Sequence, residues 1–362
     1  MKDAGFMTID ADAHIHETED TWNWLREDEL KYKPTTAFPR NSDPAKPANR
    51  YWVIDGNRRP RGFHDDARTR TTLETRELMD PLARVRQMNE LGTQVQVIYP
   101  SLFLVQVSER SEIDLALKRS YNRWLAERCQ LTGGRLRWVC LPPLDNMDQA
   151  LEELRFAKAN GACAVMKKGD REAGHWVNEE YFFPFYEECQ RLDLPIVFHI
   201  GAGEFDKTSA REFLWMRFRT LGVPPLHAFY NLAMFGIPHR FPGIRWGFIE
   251  AGSSWVPFLA YDIRRRLARS STFTPGYSYD QPSDILTKNK FYVTCQVDED
   301  LPYIMKCATE DHLLVGSDYS HDDPAGEMDF AHRLQERCAD GDISQAALRK
   351  ITHDNAKAFY GL

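Results

Sequence analysis

A short segment near the N-terminus contains the side-chain types that bind metal ions: Ile9-Asp10-Ala11-Asp12-Ala13-His14-Ile15-His16-Glu17. Alternate residues of an extended strand share a face, so Asp12, His14 and His16 can point into one space. Carboxylates and imidazoles are costly to bury together unless they share a cation or a hydrogen-bond network. A pattern of this kind can also form a surface turn, so the segment alone leaves both interpretations open.

Three later apolar segments end in residues of the same types. His199 ends the segment Pro195-Ile196-Val197-Phe198-His199, Glu250 follows Phe248-Ile249, and Asp318 and His321 follow Gly316-Ser317. A single histidine or glutamate at a strand end is more often structural, but ligand types at four strand ends favour a shared metal site. Imidazole with carboxylate suits zinc, manganese or iron, and an open coordination position lets the metal activate a water.

Eight apolar segments rich in β-branched and aromatic residues could carry these side chains. They lack clean alternation, which is typical of parallel strands buried on both faces. Helical patterns lie between them, at Leu82–Leu91, Ser111–Cys129, Asp148–Asn160, Glu179–Leu192 and Ser344–Leu362. Alternating strands and helices predict an α/β fold, a distorted (β/α)8 TIM barrel whose strand ends meet at one mouth. The predicted strands are Phe6–His14, Val95–Phe103, Leu136–Leu141, Cys163–Lys167, Ile196–Ile200, Ile244–Ala251, Phe291–Val297 and Leu313–Ser317.

Two insertions interrupt the alternation and are expected to form lids or substrate walls. They span residues 18–80 and 202–243, after the first and fifth strands, and Tyr51–Asn57 predicts a hairpin in the first. We interpret residues 1–362 as a single domain.

Composition excludes several classes of protein. Of the 362 residues, 43% are hydrophobic and 27% charged, as in ordinary globular proteins, and a net charge of −7 argues against nucleic acid as a partner. No apolar run is long enough to span a membrane, and Met1-Lys2-Asp3 leads directly into the first strand without a signal peptide. Seven scattered cysteines without a CxxC pair indicate a reducing, cytoplasmic location.

These motifs together resemble the amidohydrolase superfamily, in its amidohydrolase-related branch that includes aminocarboxymuconate-semialdehyde decarboxylase. The resemblance covers nearly the whole chain and is specific for the family, but not for one reaction. It rests on Asp12-Ala13-His14 with Glu17, Val97-Ile98-Tyr99-Pro100-Ser101-Leu102, His199, Phe248-Ile249-Glu250-Ala251-Gly252-Ser253-Ser254-Trp255-Val256-Pro257, Gly316-Ser317-Asp318-Tyr319-Ser320-His321, and Asn355-Ala356 to Tyr360-Gly361-Leu362.

The resemblance implies a barrel with a divalent metal at its mouth. The family's first-strand pair of ligands matches Asp12 and His14, its fifth-strand ligand matches His199, and its eighth-strand carboxylate matches Asp318. Asp318 would ligate the metal or take a proton from its water. His16 matches a variable position, which makes its role as a ligand less secure.

The chain departs from the decarboxylases of the family at the sixth strand. They usually carry a histidine there as acid or base, whereas this chain has Glu250. With Glu17 and His321, Glu250 makes the mouth rich in carboxylates and supplies ligands for a second ion. Lys167, at the end of the fourth strand, matches the place of a carboxylated lysine that bridges two metals in binuclear relatives. The alternative, which we favour, is a lysine that binds a substrate carboxylate or stays solvated.

Six further residues are candidates for contact with a small-molecule substrate, although aromatic residues more often fill a core and loop histidines more often lie at the surface. They are Tyr51, Trp52, Tyr99, Lys167, His175 and Trp255.

Three functions stay open at this point. We place a metal-dependent hydrolase or carbon–carbon lyase (decarboxylase) first, with Asp318, Glu250 and His321 moving protons on a small carboxylated or aromatic substrate. The second is an oxygenase with two iron or manganese ions, and the third is a non-catalytic subunit of a mixed oligomer. A homo-oligomer or a mixed oligomer with a related barrel subunit is expected.

Overall fold

The computed structural model describes residues 7–38, 51–61, 69–203, 218–269, 277–322 and 324–362. Phe6, with which the first strand was predicted to begin, and parts of both predicted insertions (39–50, 62–68 and 204–217) lie outside the described residues. The strands in the described ranges are β1 Thr8–His14, β2 Thr35–Ala37, β3 Tyr51–Ile54, β4 Asn57–Pro60, β5 Thr93–Tyr99, β6 Leu136–Cys140, β7 Ala162–Lys167, β8 Ile196–His199, β9 Trp246–Ile249, β10 Phe291–Thr294 and β11 Leu313–Leu314.

All eight predicted strands are present in one parallel sheet. Its order is β1-β5-β6-β7-β8-β9-β10-β11, and the strands form a nearly closed barrel, which confirms the predicted (β/α)8 fold. Every residue of β1, β7, β8 and β9 is buried. Burial on both faces explains why these segments lack polar alternation.

The helices agree with the predicted pattern in position. Short 3₁₀ turns add Glu19–Trp22, Glu27–Tyr32, Leu102–Leu104, Glu180–Phe182 and Glu310–His312, and π-helical turns span Phe218–Gly222 and Lys350–Asp354. The α-helices of the described ranges are α1 Leu73–Arg76, α2 Pro81–Glu90, α3 Ser111–Gln130, α4 Met147–Ala159, α5 Phe183–Arg191, α6 Val223–Phe235, α7 Ile237–Arg240, α8 Val256–Arg269, α9 Asp284–Asn289, α10 Leu301–Ala308, α11 Phe330–Ala339, α12 Gln345–Arg349 and α13 Asn355–Tyr360.

Local sequence explains where α2 begins and ends. The Asp80 side chain accepts a hydrogen bond from the N–H of Leu82, and Pro81 occupies the first helical position. Gly92, the predicted terminator, has a φ of +71°, a left-handed conformation that glycine adopts without strain. The predicted C-terminal helix differs, because the π-helical turn separates α12 from α13.

Six of the eight barrel strands end earlier than predicted, and after two of them a candidate site residue has a positive φ. β9 ends at Ile249, and Glu250 has a φ of +64°. β11 ends at Leu314, and Asp318 has a φ of +50°. Non-glycine residues at positive φ store strain, and such residues cluster at functional sites.

The chain divides into two compact units. Unit 1 comprises Met1–Cys163 and Ser317–Met328, and unit 2 comprises Ala164–Gly316 and Asp329–Leu362. No helix within the described ranges combines the length and apolarity needed to cross a bilayer.

Unit 1 also contains a small antiparallel sheet in the order β2-β3-β4. Asp55 and Gly56 connect β3 to β4 with φ values of +51° and +75°, as in a tight hairpin turn, so the predicted hairpin is confirmed. Trp52 of β3 is buried and packs edge-on against Trp22 at 5.7 Å between ring centroids. This contact attaches the small sheet to the core of unit 1.

Candidate metal centre

Asp12 and His14 occupy the end of β1 and are buried. Nε2 of His14 lies 3.3 Å from Oδ1 of Asp12, and Nδ1 lies 2.9 Å from the carbonyl oxygen of Pro100. A carbonyl oxygen can only accept a hydrogen bond, so Nδ1 carries the proton of the neutral ring. His14 therefore presents the lone pair of Nε2 toward Asp12, which is the tautomer that a metal ligand needs.

Asp318 and His321 follow β11 and lie beside His14. The backbone N–H of Asp318 donates to the carbonyl oxygen of Asp12 at 2.9 Å, which aligns the two segments. Oδ1 of Asp318 lies 3.3 Å from Nε2 of His14 and 2.8 Å from Nδ1 of His321. The two imidazole rings stack at 3.8 Å. Ligand atoms of His14, Asp318 and His321 thus lie within 4.8 Å of one another.

This set of donors fits a divalent cation. Carboxylate oxygens of Asp12 and Asp318 both lie 3.3 Å from Nε2 of His14, an arrangement that a positive charge between them stabilises. Buried carboxylate and imidazole ligands are those of zinc, manganese and iron. Unit 1 therefore brings together three predicted ligands, Asp12, His14 and Asp318, with the predicted acid–base residue His321.

A buried polar network holds the two ligand-bearing segments of unit 1 together. The Asp10 carboxylate accepts hydrogen bonds from Ser317, at 2.8 Å from N and 2.5 Å from Oγ, and from Nε2 of Gln96 at 2.9 Å. Arg84 in turn donates from Nε to Gln96 at 2.7 Å and from Nη1 to the carbonyl oxygen of His14 at 3.2 Å. Burial raises the pKa of Asp10 to about 6 despite these hydrogen bonds.

Glu17 supports the turn after β5. Its two carboxylate oxygens accept the backbone N–H groups of Ser101 at 3.1 Å and Leu102 at 3.0 Å. Complete burial raises the pKa of Glu17 to about 7. His16 is also buried, and its ring centroid lies 6.1 Å from that of His321. Whether Glu17 and His16 also ligate a metal stays a prediction.

Unit 2 holds a second imidazole–carboxylate pair. His199, the last residue of β8, and Glu250, directly after β9, are both buried, with 3.1 Å between Nε2 and Oε2. Nδ1 of His199 lies 3.2 Å from the carbonyl oxygen of Ile200, so the neutral ring again presents Nε2. The N–H of Glu250 donates to Oγ1 of Thr294 at 2.7 Å, which supports its positive φ.

The loop after Glu250 is anchored by Glu299. The Glu299 carboxylate accepts hydrogen bonds from the backbone and hydroxyl groups of Ser253 and Ser254 at 2.6–3.0 Å. It also accepts the N–H of Gln296 at 2.8 Å. Five donors on one carboxylate fix the segment that leads from Glu250 into α8.

The substrate candidates of unit 1 differ in their surroundings. Tyr99 is buried at the end of β5, and its ring centroid lies 5.9 Å from that of His14. Trp52 is a core residue that also lies beneath the guanidinium of Arg61, at 4.6 Å from the ring centroid. Tyr51 is half-buried on the small sheet.

The candidates of unit 2 also occupy different environments. Lys167 is buried, with Nζ 3.4 Å from the Glu172 carboxylate and 3.8 Å from the ring centroid of Phe182. The Trp255 indole N–H lies 2.8 Å from the carbonyl oxygen of Gly252. His175 is partly exposed and contacts Glu179 at 2.7 Å and the ring of Tyr181 at 4.2 Å.

Sequence reasoning missed the residues that support the ligands, namely Asp10, Arg84, Gln96, Ser101, Thr294 and Glu299. A signal exists for Asp10, which lies two residues before Asp12 and so on the same face of the strand. Another exists for Gln96, a polar residue within an apolar strand. Nothing in the sequence pairs Arg84 with Gln96 or Ser101 with His321, because those contacts depend on the fold.

The chain is similar to known proteins over most of its length. The model of the amidohydrolase family matches residues 9–362. A 2-amino-3-carboxymuconate-6-semialdehyde decarboxylase from Dictyostelium discoideum is 21% identical over 293 residues, which are 78% of this chain and 77% of the relative.

Solved structures share the fold at low identity. An amidohydrolase from Mycobacterium avium subsp. paratuberculosis K-10 is 19% identical with a TM-score of 0.78, and 99% of each chain is covered. A 5-carboxyvanillate decarboxylase from Novosphingobium aromaticivorans DSM 12444, complexed with manganese and 4-hydroxy-3-methoxy-5-nitrobenzoic acid, is 16% identical with a TM-score of 0.69, covering 99% of this chain and 97% of that one.

Proposed function

The chain belongs to the amidohydrolase family, and on this premise we propose that it is a metal-dependent lyase that removes the carboxyl group of a small aromatic acid as carbon dioxide. The observation that carries the proposal is the buried convergence of His14, Asp318 and His321 in unit 1. The relatives named as decarboxylases, one of them with manganese and an aromatic acid, support this choice of reaction.

We propose Asp12, His14 and Asp318 of unit 1 as ligands of the metal, and His199 of unit 2 stays a ligand predicted from the sequence. Each lies at or just after the carboxyl end of a strand in the same parallel sheet, the edge at which barrels of this class build their sites. A bound manganese or zinc ion supplies positive charge that binds substrate oxygens and stabilises the negative charge that develops on them.

The chain's own residues would handle the substrate and its protons. In decarboxylation the bond between the ring and the carboxyl carbon breaks, carbon dioxide leaves, and a proton takes its place on the ring carbon. We assign acceptance of a proton from a substrate hydroxyl to Asp318, with His321 beside it at 2.8 Å. Glu250 of unit 2 stays a proton-moving residue predicted from the sequence. Tyr99 of unit 1 is proposed to flank the aromatic ring, and Trp255 and Lys167 of unit 2 stay predicted substrate contacts.

The test is product analysis under anaerobic conditions. Protein freed of metal and reloaded with Mn²⁺ or Zn²⁺ is incubated with hydroxylated benzoic acids, and released carbon dioxide is measured. Carbon dioxide release that requires the added metal, and that is lost in the Asp318→Asn variant, supports the proposed lyase activity. Cleavage of amides or esters in place of carbon dioxide release supports the hydrolase alternative, and activity that strictly requires dioxygen refutes both.

A dinuclear iron or manganese oxygenase is the second candidate. It is favoured by the second imidazole–carboxylate pair, His199 with Glu250, and by the buried carboxyl group of Glu17. Glu17, Glu250 and His321 are the residues that the sequence predicts to help hold a second ion. Elemental analysis of protein purified without added metal, with an electron paramagnetic resonance spectrum, separates the two candidates. Two ions per chain with a coupled-spin signal favour the oxygenase, whereas one manganese or zinc favours the lyase.

A further inference from the structure

We propose that Ser101 is a positioning residue that makes His321 a metal ligand through Nδ1, because it fixes the tautomer of the His321 ring. The proposal rests on the proposed function, since it requires a divalent ion beside His14 and Asp318.

The argument begins with the single proton of the Ser101 hydroxyl. Oγ of Ser101 lies 2.7 Å from the carbonyl oxygen of Ile15 and 2.7 Å from Nε2 of His321. The carbonyl oxygen can only accept, so the hydroxyl donates its proton to Ile15. Oγ then accepts a hydrogen bond from Nε2 of His321, which must carry an N–H.

The state of the other ring nitrogen follows. A neutral imidazole has one N–H, so Nδ1 of His321 carries a lone pair, and it lies 2.8 Å from Oδ1 of Asp318. A nitrogen lone pair and a carboxylate oxygen at this distance repel each other unless a proton or a metal cation lies between them. The hydrogen bonds of Ser101 therefore prepare Nδ1 of His321 and Oδ1 of Asp318 to share a metal ion.

The turn at Pro100 and Ser101 contacts both stacked imidazoles, those of His14 and His321. The carbonyl oxygen of Pro100 accepts the Nδ1 proton of His14 and leaves Nε2 as its ligand atom. The hydroxyl of Ser101, the next residue, accepts the Nε2 proton of His321 and leaves Nδ1. The two rings stack at 3.8 Å with an interplanar angle of 26°, so their opposite tautomers are presented side by side. Glu17 holds this turn in place through the Ser101 N–H.

The first experiment measures Mn²⁺ affinity by equilibrium dialysis of the full chain. Ser101→Ala is expected to weaken binding about 10–100-fold, the usual effect of removing a partner that orients a ligand. Ser101→Thr keeps the hydroxyl and is expected to bind as the wild type does. The matched control is Ser120→Ala, because Ser120 also donates its hydroxyl proton to a backbone carbonyl oxygen, that of Thr21, at 2.7 Å.

A double-mutant cycle tests whether Ser101 acts through His321. In a His321→Ala background, Ser101→Ala is expected to cause no further loss of Mn²⁺ affinity. The proposal is overturned if Ser101→Ala binds Mn²⁺ within twofold of the wild type, or if its loss persists in the His321→Ala background. Wild-type protein that binds no divalent ion overturns the proposed function as well, which distinguishes the two failures.

A measurement on the wild type keeps the proposal testable if Ser101→Ala does not fold. Zinc-loaded protein labelled with ¹⁵N at histidine reports by nuclear magnetic resonance which nitrogen of each ring carries the proton. A proton on Nε2 of His321 with Nδ1 bound to zinc supports the proposal. A proton on Nδ1 of His321 overturns it.

Discussion

Replacement of Glu17 by glutamine should change how stability depends on pH. In the folded state burial raises the pKa of Glu17 from its ordinary value of 4.5 to about 7. The neutral acid therefore stabilises the fold at low pH, and this contribution is lost as the pH rises from 4.5 to 7. Each pH unit in this range costs about 1.4 kcal/mol, so the wild type loses about 3 kcal/mol of unfolding free energy at this site.

Glutamine does not titrate, so the Glu17→Gln variant does not lose unfolding free energy at this site as the pH rises. It has one carbonyl oxygen in place of two carboxylate oxygens, so the N–H of Ser101 or Leu102 loses its acceptor, at a cost of about 1–3 kcal/mol. We expect Glu17→Gln to be less stable than the wild type at pH 5. At pH 8 the two should have similar stability, or the variant should be the more stable.

The assay is urea unfolding at several pH values between 5 and 8, with a chelator present so that metal binding does not contribute. Glu27→Gln, which removes an exposed carboxyl group, is the control for loss of a charge. Asp10 and Asp170, whose pKa values burial raises to about 6, are present in all variants and cancel in the comparison. If wild type and Glu17→Gln lose stability in parallel between pH 5 and 8, the reasoning is refuted.

Three further outcomes are expected. Removal of bound metal by a chelator should lower Tm. Mn²⁺ at about 100 times its Kd should then add about 2.7 kcal/mol to the free energy of unfolding. A Tm that does not respond to Mn²⁺ in calorimetry would contradict a bound ion. Trp22→Ala should lower the free energy of unfolding, measured in urea, by about 3–5 kcal/mol, because it removes a fully buried side chain packed against Trp52. A loss below about 1 kcal/mol would be inconsistent with that packing. Arg84→Met removes the donors to Gln96 and to the His14 carbonyl oxygen. It should lower the free energy of unfolding by about 1–3 kcal/mol per acceptor left without a donor and weaken Mn²⁺ binding. Unchanged stability and Mn²⁺ affinity would argue against a structural role for the hydrogen-bond network of Arg84, Gln96 and Asp10.

The sequence was sufficient to predict the barrel and most of its elements. The eight strands are recognisable because burial on both faces requires continuous apolar residues, as in Ala162–Lys167. Helix ends such as Gly92 follow from local backbone preferences. The candidate ligands were predicted from the sequence too, because imidazole and carboxylate groups recur at four strand ends.

Only the tertiary structure decided how those side chains are used. The ring nitrogens that His14 and His321 present depend on Pro100 and Ser101, which reach them because β5 lies beside β1 in the sheet. The carboxylate of Glu17 accepts two backbone N–H groups of a turn, whereas that of Asp12 lies 3.3 Å from Nε2 of His14. Residue type and strand position are local properties that a sequence contains, whereas hydrogen-bond partners distant along the chain exist only once the sheet has formed.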